Sequence, residues 1–214
     1  MIDKKNNKSL IKKIVLAAGL SNRYGKKNKL SQYINNKPVI NHLIDKLLSI
    51  YDPSELLIVI GYEHKTIINL INNPKIEFIY NHDYKKGIGT SISAGIKELE
   101  LAIKGAMIIP ADMPVLSTKD LIKLQNKFLE LNCSKVVFPK YKSQIGNPVL
   151  LPKNYFKILE SLKEDCGAKS QIKNNDIVTV NTDIGTIFDI DTISNLNTAK
   201  NILWKTKMQL LLLF

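Results

Sequence analysis

The sequence predicts an α/β fold, a single-domain, three-layer α/β/α sandwich with a mostly parallel, Rossmann-like sheet. Short apolar runs alternate with longer amphipathic segments along most of the chain, which is the pattern of strand–helix–strand units. The 214 residues are 44% hydrophobic and 23% charged, values that suit one globular domain with a sizeable core. We predict that this domain spans 12–205, after an N-terminal extension at 1–11 and before an apolar tail at 206–214.

The first half of the chain supplies four predicted strands, at 13–17, 56–60, 76–80 and 105–109. Three predicted helices lie between them, at 38–49, 63–71 and 91–102. Pro38 suits a first helical position. Val39, Leu43 and Leu47 follow it at helical spacing. Because strands and helices alternate, we expect parallel strands that are covered on both faces.

The second half begins with a helix signal at Ser117, a predicted N-cap with Asp120 three residues later as its capping-box partner. This helix is expected to end near residue 131. Further strands are predicted at 135–138, 149–151, 177–181 and 186–190. Two more helices are predicted at 155–162 and 192–204.

Composition and charge limit the class of partner. A net charge of +12 indicates attraction for anionic substrates. The lysines are interleaved with acids and show no basic–aromatic stacking pattern, so we expect no nucleic-acid site. Cys133 and Cys166 have neither metal-ligand nor disulfide spacing, which predicts a cytoplasmic setting. We also expect no membrane association, because no apolar run is long enough to cross a bilayer.

A single arginine, Arg23, lies in the glycine-bounded segment 17–25, and lysine supplies the rest of the 31 Lys plus Arg residues. Guanidinium binds phosphate bidentately and ammonium does not, so this segment and Lys29 are predicted to bind phosphate groups. Two familiar phosphate loops are excluded by spacing. Five residues separate Gly19 from Gly25 where a Walker A loop has four, and no G-x-G-x-x-G pattern starts at Gly19.

A second glycine loop, 86–91, is expected at the end of the third predicted strand, where parallel sheets bind ligands. Gly89 permits a tight turn, while Thr90 and Ser91 supply hydroxyls and amides at a helix start. The alternative interpretation is a plain turn with a serine cap.

Carboxylates follow the fourth and the last predicted strands. Asp112 lies between two prolines in segment 109–114, and Asp189 and Asp191 occupy alternate positions of the predicted strand edge. One or two carboxylates together with substrate phosphates are the usual ligands of Mg²⁺. We therefore predict that Asp112 and Asp191 hold Mg²⁺, with Asp189 as a supporting or alternative ligand. Asp191 is equally suited to cap the last helix.

The pattern Leu16-Ala-Ala-Gly-x-Ser-x-Arg-x-Gly-x-x-x-Lys29-Leu resembles the signature loop of the molybdopterin-type nucleotidyltransferases. Segments similar to the cytidylyl-transferring branch of this family lie at 87–95, 110–114, 146–152 and 165–169, and the closing Asp-x-Asp-Thr lies at 189–192. Tyr24 and Asn147 depart from the family pattern, which commonly has methionine and histidine at these positions.

The resemblance implies a fold of the nucleotide-diphospho-sugar transferase type and transfer of CMP from CTP to the terminal phosphate of molybdopterin, with release of pyrophosphate. It implies that Arg23, Lys29 and Asp112 are catalytic and that Mg²⁺ on Asp112 and Asp191 bridges the two substrates. The implied nucleotide contacts are Leu16, Ala17, Ala18, Gly19, Arg23, Lys29, Gly89, Thr90, Ser91 and Asp112. A molybdenum hydroxylase is the implied recipient of the product.

Three other interpretations stay open at this point. The chain is consistent with the guanylyl-transferring relative, and with a nucleotidyltransferase that acts on a sugar phosphate or another phosphorylated small molecule. A basic protein that carries a nucleotide-modified cofactor without catalysis is the alternative from a different class. Asp112 and Asp191 argue against a carrier, because carboxylates repel a polyanionic ligand.

Overall fold

The structure, a computed structural model, describes residues 10–25 and 27–211. The strands are β1 (Ile11–Ala17), β2 (Tyr33–Ile34), β3 (Lys37–Pro38), β4 (Leu56–Ile60), β5 (Glu77–Tyr80), β6 (Gly105–Pro110), β7 (Val136–Tyr141), β8 (Gln144–Ile145), β9 (Val149–Pro152) and β10 (Ile177–Asn181). The α-helices are α1 (Val39–Leu48), α2 (His64–Ile71), α3 (Ile88–Lys97), α4 (Thr118–Glu130), α5 (Phe156–Leu159) and α6 (Ile193–Leu211).

One eight-stranded sheet dominates the fold, with the strand order β10-β7-β9-β6-β1-β4-β5 and with β8 paired to β7. β1 lies in the middle and pairs in parallel with both β4 and β6. β5 and β10 extend the parallel pairing at the two edges, whereas β9 runs antiparallel between β6 and β7. The prediction of a mostly parallel sheet is confirmed.

Two apolar clusters form the core, one on each face of the sheet. Side chains alternate along β1, so Val15 belongs to one cluster and Ile14 to the other. Helices α1, α2, α4 and α6 contribute to the first cluster, and α3 and α5 contribute to the second. The structure therefore has the three layers that the sequence predicts. The N-cap at Ser117 is also confirmed, because its hydroxyl oxygen accepts a hydrogen bond from the Asp120 amide.

The predicted strand at 186–190 is wrong. The chain forms a 3-10 turn at Ile184–Thr186 and then crosses the carboxyl end of β6 instead of pairing beside another strand. The Ile190 amide donates to the Asp112 carbonyl at 3.0 Å, and the Thr186 carbonyl accepts from the Asn147 amide at 2.7 Å. The alternating pattern of this segment reflects the complete burial of Ile190 rather than a place in the sheet.

The predicted helix at 91–102 begins and ends too late. Gly87 has a φ of +123°, a value that favours glycine, and α3 begins at the next residue. A Cβ atom on Gly89 would lie 2.8 Å from the Cys166 carbonyl oxygen, because segment 163–166 packs against the first turn of α3. Gly89, Thr90 and Ser91 therefore lie inside the helix rather than in a loop before it.

The final helix runs past the predicted domain boundary at residue 205, because α6 continues to Leu211. That boundary stays a prediction. Residues 1–9 of the predicted extension and 212–214 of the predicted tail lie outside the described residues. Among the helices that the structure describes, none combines the length and the apolar character needed to cross a bilayer.

Candidate active site

A cavity of about 550 Å³ opens at the carboxyl ends of β1 and β6, where parallel strands leave a crevice. Its walls come from loop 18–24 after β1, from segment 84–88 before and within α3, and from polar side chains on other segments. Those other side chains are Lys29, Ser91, Asp112, Asn147, Asp165, Asp189 and Asp191.

The loop after β1 leaves backbone amides unpaired. The N–H groups of residues 19–23 make no hydrogen bond within the part of the chain that the structure describes, and all five residues line the cavity. A Cβ atom on Gly19 would meet nothing within 4 Å, so the backbone there faces open space. Consecutive unpaired N–H groups in such a loop bind anions. The loop is therefore suited to phosphate.

Three carboxylates meet on the opposite wall, and we call Asp112, Asp189 and Asp191 the carboxylate cluster. One oxygen from each lies within 4.8 Å of the others. The Lys29 ammonium donates to carboxylate oxygens of Asp112 and Asp191, the latter at 3.1 Å. The Arg23 guanidinium lies 2.7 Å from the second oxygen of Asp191. Arg23, Lys29, Asp112 and Asp191, far apart in sequence, thus form one ion-pair network.

Two pKa shifts show how the charges balance. Burial lowers the pKa of Lys29, but the carboxylates of Asp112 and Asp191 outweigh that effect and raise it above its usual value. Asp189 forms no ion pair with a cation among the residues that the structure describes. Its pKa is raised because desolvation penalises the charged form and because Asp112 and Asp191 repel it.

The carboxylate cluster fits a hard divalent cation. The Oδ1 atom of Asp112 is buried and finds no hydrogen-bond partner within the described ranges of the chain, an arrangement that costs free energy unless another group binds that atom. Carboxylate oxygens are the ligands that Mg²⁺ and similar ions prefer. Asp112, Asp189 and Asp191 are the group of possible metal ligands found in the described chain.

The second glycine loop differs from the sequence interpretation. Ser91 lines the cavity and is 5% exposed, but Gly89 and Thr90 do not line it. The Gly89 amide donates to the Glu164 carbonyl at 3.0 Å, and the Thr90 hydroxyl donates within its own turn to the Gly87 carbonyl at 2.8 Å. In the first loop, Leu16, Ala18 and Gly19 line the cavity, whereas Ala17 packs into the core.

Sequence reasoning missed part of the cavity wall. Tyr84 and Lys85 line it just before the predicted loop at 86–91, and the only sequence signal was a pair of lysines beside a glycine. Asn147 and Asp189 also border a second, smaller cavity of about 360 Å³, which lies between segment 144–147 and the turn near Thr186. The two cavities therefore adjoin at Asn147 and Asp189.

Comparisons with known proteins agree with this geometry. The family model for the MobA-like NTP transferase domain matches residues 13–179. The bifunctional protein GlmU of Campylobacter hominis is 29% identical over 170 residues, which are 78% of this chain and 37% of that protein. This chain thus spans well under half the length of that relative. The molybdenum cofactor cytidylyltransferase of Escherichia coli K12 is 25% identical over 203 residues, 90% of this chain and 96% of that enzyme.

Among solved structures, a homologue of Mycobacterium tuberculosis Rv0371c from Mycobacterium sp. strain JC1 has the same fold. The two superpose with a TM-score of 0.78 at 17% identity, over 91% of this chain and 97% of that one. The family match covers most of the chain and confirms the resemblance stated from the sequence. The chain therefore belongs to the MobA-like NTP transferase domain family.

Proposed function

We propose that this chain transfers CMP from CTP to the terminal phosphate of molybdopterin, in a Mg²⁺-dependent reaction that releases pyrophosphate. The observation that carries the proposal is one cavity in which the carboxylate cluster faces Arg23, Lys29 and the unpaired amides of 19–23. A nucleoside triphosphate requires cationic and N–H donors for its phosphates, together with carboxylates that hold a divalent cation.

Support for the acceptor comes from the match to the Escherichia coli cytidylyltransferase, which extends over 96% of that enzyme. Further support comes from the second cavity, which adjoins the first at Asn147 and Asp189. An acceptor bound in the second cavity would bring its phosphate beside a nucleotide in the first.

The proposed roles follow from the contacts of each residue. Arg23, Lys29 and the amides of 19–23 bind the β- and γ-phosphates and stabilise the charge that develops on pyrophosphate. Asp112 and Asp191 hold Mg²⁺, and Asp189 supplies a third carboxylate. The bound ion neutralises charge on the phosphate oxygens.

The nucleoside is proposed to lie against residues of the β1 loop and of α3. Leu16, Ala18, Gly19 and Ser91 form the contact surface. Ala17, Gly89 and Thr90, which do not line the cavity, act by shaping the backbone that carries their neighbours.

No protein nucleophile or general base is required for this reaction. A phosphate oxygen of the acceptor is already anionic near neutral pH, and it attacks the α-phosphorus of CTP as the bond to pyrophosphate breaks. Catalysis then consists of positioning and charge stabilisation, as in other phosphoryl-type transfers.

Pyrophosphate release from each of the four nucleoside triphosphates, with and without molybdopterin, tests the proposal. We expect release from CTP when molybdopterin and Mg²⁺ are both present, and loss of that release in Asp112→Asn. Equal turnover of CTP and GTP would reject the preference for CTP but would still support nucleotidyl transfer as the reaction. Absence of release with every nucleotide would reject molybdopterin as the acceptor.

A second candidate is a nucleotidyltransferase that acts on a sugar phosphate or another phosphorylated small molecule. This chain is 29% identical to GlmU and 25% identical to the cytidylyltransferase over the matched residues, which favours testing this candidate as well. A panel of phosphorylated acceptors in the same assay separates the two, because only one class of acceptor should support turnover.

A further inference from the structure

A buried aspartate at the start of α4 contacts the chain just before the carboxylate cluster. Asp120, the third residue of α4, is 2% exposed and forms no ion pair in the part of the chain that the structure describes. Its Oδ2 atom accepts the Ser117 hydroxyl at 2.9 Å and the Asp183 backbone N–H at 3.3 Å. The carboxylate of Asp120 therefore links α4 to a segment 63 residues later in the chain.

The burial of the Asp120 charge makes its contact with Asp183 a strong one. A buried carboxylate without a cation costs free energy unless dipoles and hydrogen-bond donors stabilise it. The positive end of the α4 dipole and the two donors supply that stabilisation. Loss of the Asp183 N–H would leave the charge with less compensation, so the carboxylate holds this N–H in place.

A short turn carries this contact toward the second cavity. Asp183 directly precedes the 3-10 turn at Ile184–Thr186, and its carbonyl accepts the Thr186 N–H at 3.2 Å and the Thr186 hydroxyl at 2.9 Å. Thr186 is completely buried and lines the second cavity. Asp189 follows three residues later, so Asp120 fixes the point from which the chain runs to this carboxylate.

Two of the three carboxylates in the cluster are held without the turn. The Ile190 amide donates to the Asp112 carbonyl at 3.0 Å, which ties the segment of Asp191 to the segment of Asp112. The Lys29 ammonium donates to carboxylate oxygens of both residues. Asp112 and Asp191 therefore keep their places when the turn moves.

The third carboxylate has less support. Asp189 forms no ion pair within the described ranges, so its backbone is fixed by Ile190 on one side and by the turn on the other. Phe188 packs partly against the core, but apolar packing is non-directional and does not set the direction of the next side chain. The position of the Asp189 carboxylate therefore depends on the contact between Asp120 and Asp183.

We propose that Asp120 is a positioning residue that, through the turn at Ile184–Thr186, holds Asp189 within reach of a divalent cation on Asp112 and Asp191. This inference rests on the proposed function, because it takes the carboxylate cluster to be a metal site. Groups that orient metal ligands typically change metal affinity by about 10–100-fold. Asp120 acts on one of three carboxylates, so we expect its contribution at the lower end, about tenfold.

The experiment measures Kd values for Mn²⁺ by calorimetry without nucleotide, in the wild type, Asp120→Ala and Asp120→Asn. Asp120→Ala removes the acceptor and should bind Mn²⁺ about tenfold more weakly. Asp120→Asn removes the charge but keeps an acceptor oxygen for Ser117 and Asp183, so its Kd should stay within about threefold of the wild type. A wild-type Kd in Asp120→Ala, or an equal loss in both variants, would overturn the proposal.

Two further variants separate positioning from general loosening. Asp189→Asn removes the carboxylate that Asp120 positions, so Asp120→Ala should add nothing in that background. Lys123→Met is the matched control, because Lys123 also lies on α4 and donates to the Asn181 carbonyl at 2.5 Å, two residues before Asp183. It should bind Mn²⁺ like the wild type. A further loss in the double variant, or a tenfold loss in Lys123→Met, would overturn the proposal.

Asp183→Pro breaks the same hydrogen bond from the donor side and keeps the test decisive if Asp120→Ala fails to fold. Asp183 has a φ of −89°, close to the range of proline, and this variant should also bind Mn²⁺ about tenfold more weakly. A wild-type Kd in Asp183→Pro would overturn the proposal. Failure of the wild type to bind Mn²⁺ would overturn it together with the proposed metal site.

The assay contains neither CTP nor molybdopterin, so it is independent of the proposed transfer. A wild type that binds Mn²⁺ with the expected dependence on Asp120, but transfers nothing to molybdopterin, would reject the proposed acceptor and leave the role of Asp120 supported.

Discussion

Asp191 pairs with both Arg23 and Lys29 in the cavity, so its removal should change how the protein binds a nucleotide without metal. Its two oxygens contact the Arg23 guanidinium at 2.7 Å and the Lys29 ammonium at 3.1 Å. Both cations must exchange carboxylate for phosphate when a triphosphate binds. Asp191→Asn frees Arg23 in advance and leaves Lys29 paired with Asp112 alone.

The size of the effect follows from exposure. The Arg23 side chain is 77% exposed, and exposed ion pairs contribute up to about 1 kcal/mol. The Lys29 side chain is 15% exposed, and hydrogen bonds between charged groups that are largely buried contribute about 1.5–3 kcal/mol, although Lys29 keeps Asp112 as a partner. A combined gain of about 1.4 kcal/mol corresponds to a factor of ten in Kd. We expect Asp191→Asn to bind CTP about tenfold more tightly without metal.

The assay is calorimetric titration of CTP in EDTA, repeated with Mg²⁺. In the wild type, Mg²⁺ should strengthen nucleotide binding, and in Asp191→Asn this enhancement should largely disappear. Asp165→Asn is the matched control, because Asp165 lines the same cavity but pairs with neither Arg23 nor Lys29. Equal gains in the two variants would mean that general charge repulsion is responsible, and no gain in Asp191→Asn would refute the exchange of partners.

Three further predictions concern catalysis, pH and packing. Arg23→Lys should lower the rate of pyrophosphate release by about 100-fold with little change in Tm, because lysine lacks the bidentate fork and the side chain is exposed; a change below threefold would contradict it. Burial, together with the charge of Lys37, lowers the pKa of Lys46 to about 8, so the folded state binds fewer protons than the unfolded state between pH 8 and about 10.5. Denaturant unfolding across that window should therefore show wild-type stability rising by up to about 3 kcal/mol relative to Lys46→Met, and parallel pH profiles of the two proteins would contradict this. Gly61→Ala places a Cβ atom 2.6 Å from the Tyr84 Cβ atom, so we expect a loss of about 1–3 kcal/mol in stability and weaker CTP binding; an unchanged Tm would contradict the first expectation and an unchanged Kd for CTP the second.

The sequence predicts the fold well where periodicity and caps agree. The central strands and α4 are found within one or two residues of their predicted bounds, because long apolar runs and the Ser117 cap leave little choice. The failures lie where long-range contacts decide local structure. The segment at 186–190 alternates like a strand, but its hydrogen bonds go to the loop after β6 and to Asn147.

The residues of the candidate site also fall into those that the local sequence identifies and those that long-range contacts decide. Arg23 could be identified as the single arginine of the chain, in the loop that Lys29 follows, and Asp112 and Asp191 as carboxylates after predicted strands. The structure brings all four into one network, although the strand predicted before Asp191 does not form. The second glycine loop could not be interpreted correctly. Its glycines accommodate the chain's own segment at 163–166, a contact between residues about 75 positions apart that leaves no local pattern.

The positive charges of Arg23 and Lys29 balance the negative charges of the carboxylate cluster. Three carboxylates with oxygens within 4.8 Å repel strongly, and the raised pKa of Asp189, caused by desolvation and then by Asp112 and Asp191, records that repulsion. Lys29 and Arg23 offset this repulsion, so the three carboxylates can lie together without a bound ligand. In the proposed reaction the same two cations bind the phosphates of the nucleotide, so they cannot pair fully with the carboxylates and with the phosphates at once. Binding of a divalent cation to the carboxylates and binding of a triphosphate to Lys29 and Arg23 must therefore strengthen each other by the same factor, because coupling between two sites is reciprocal.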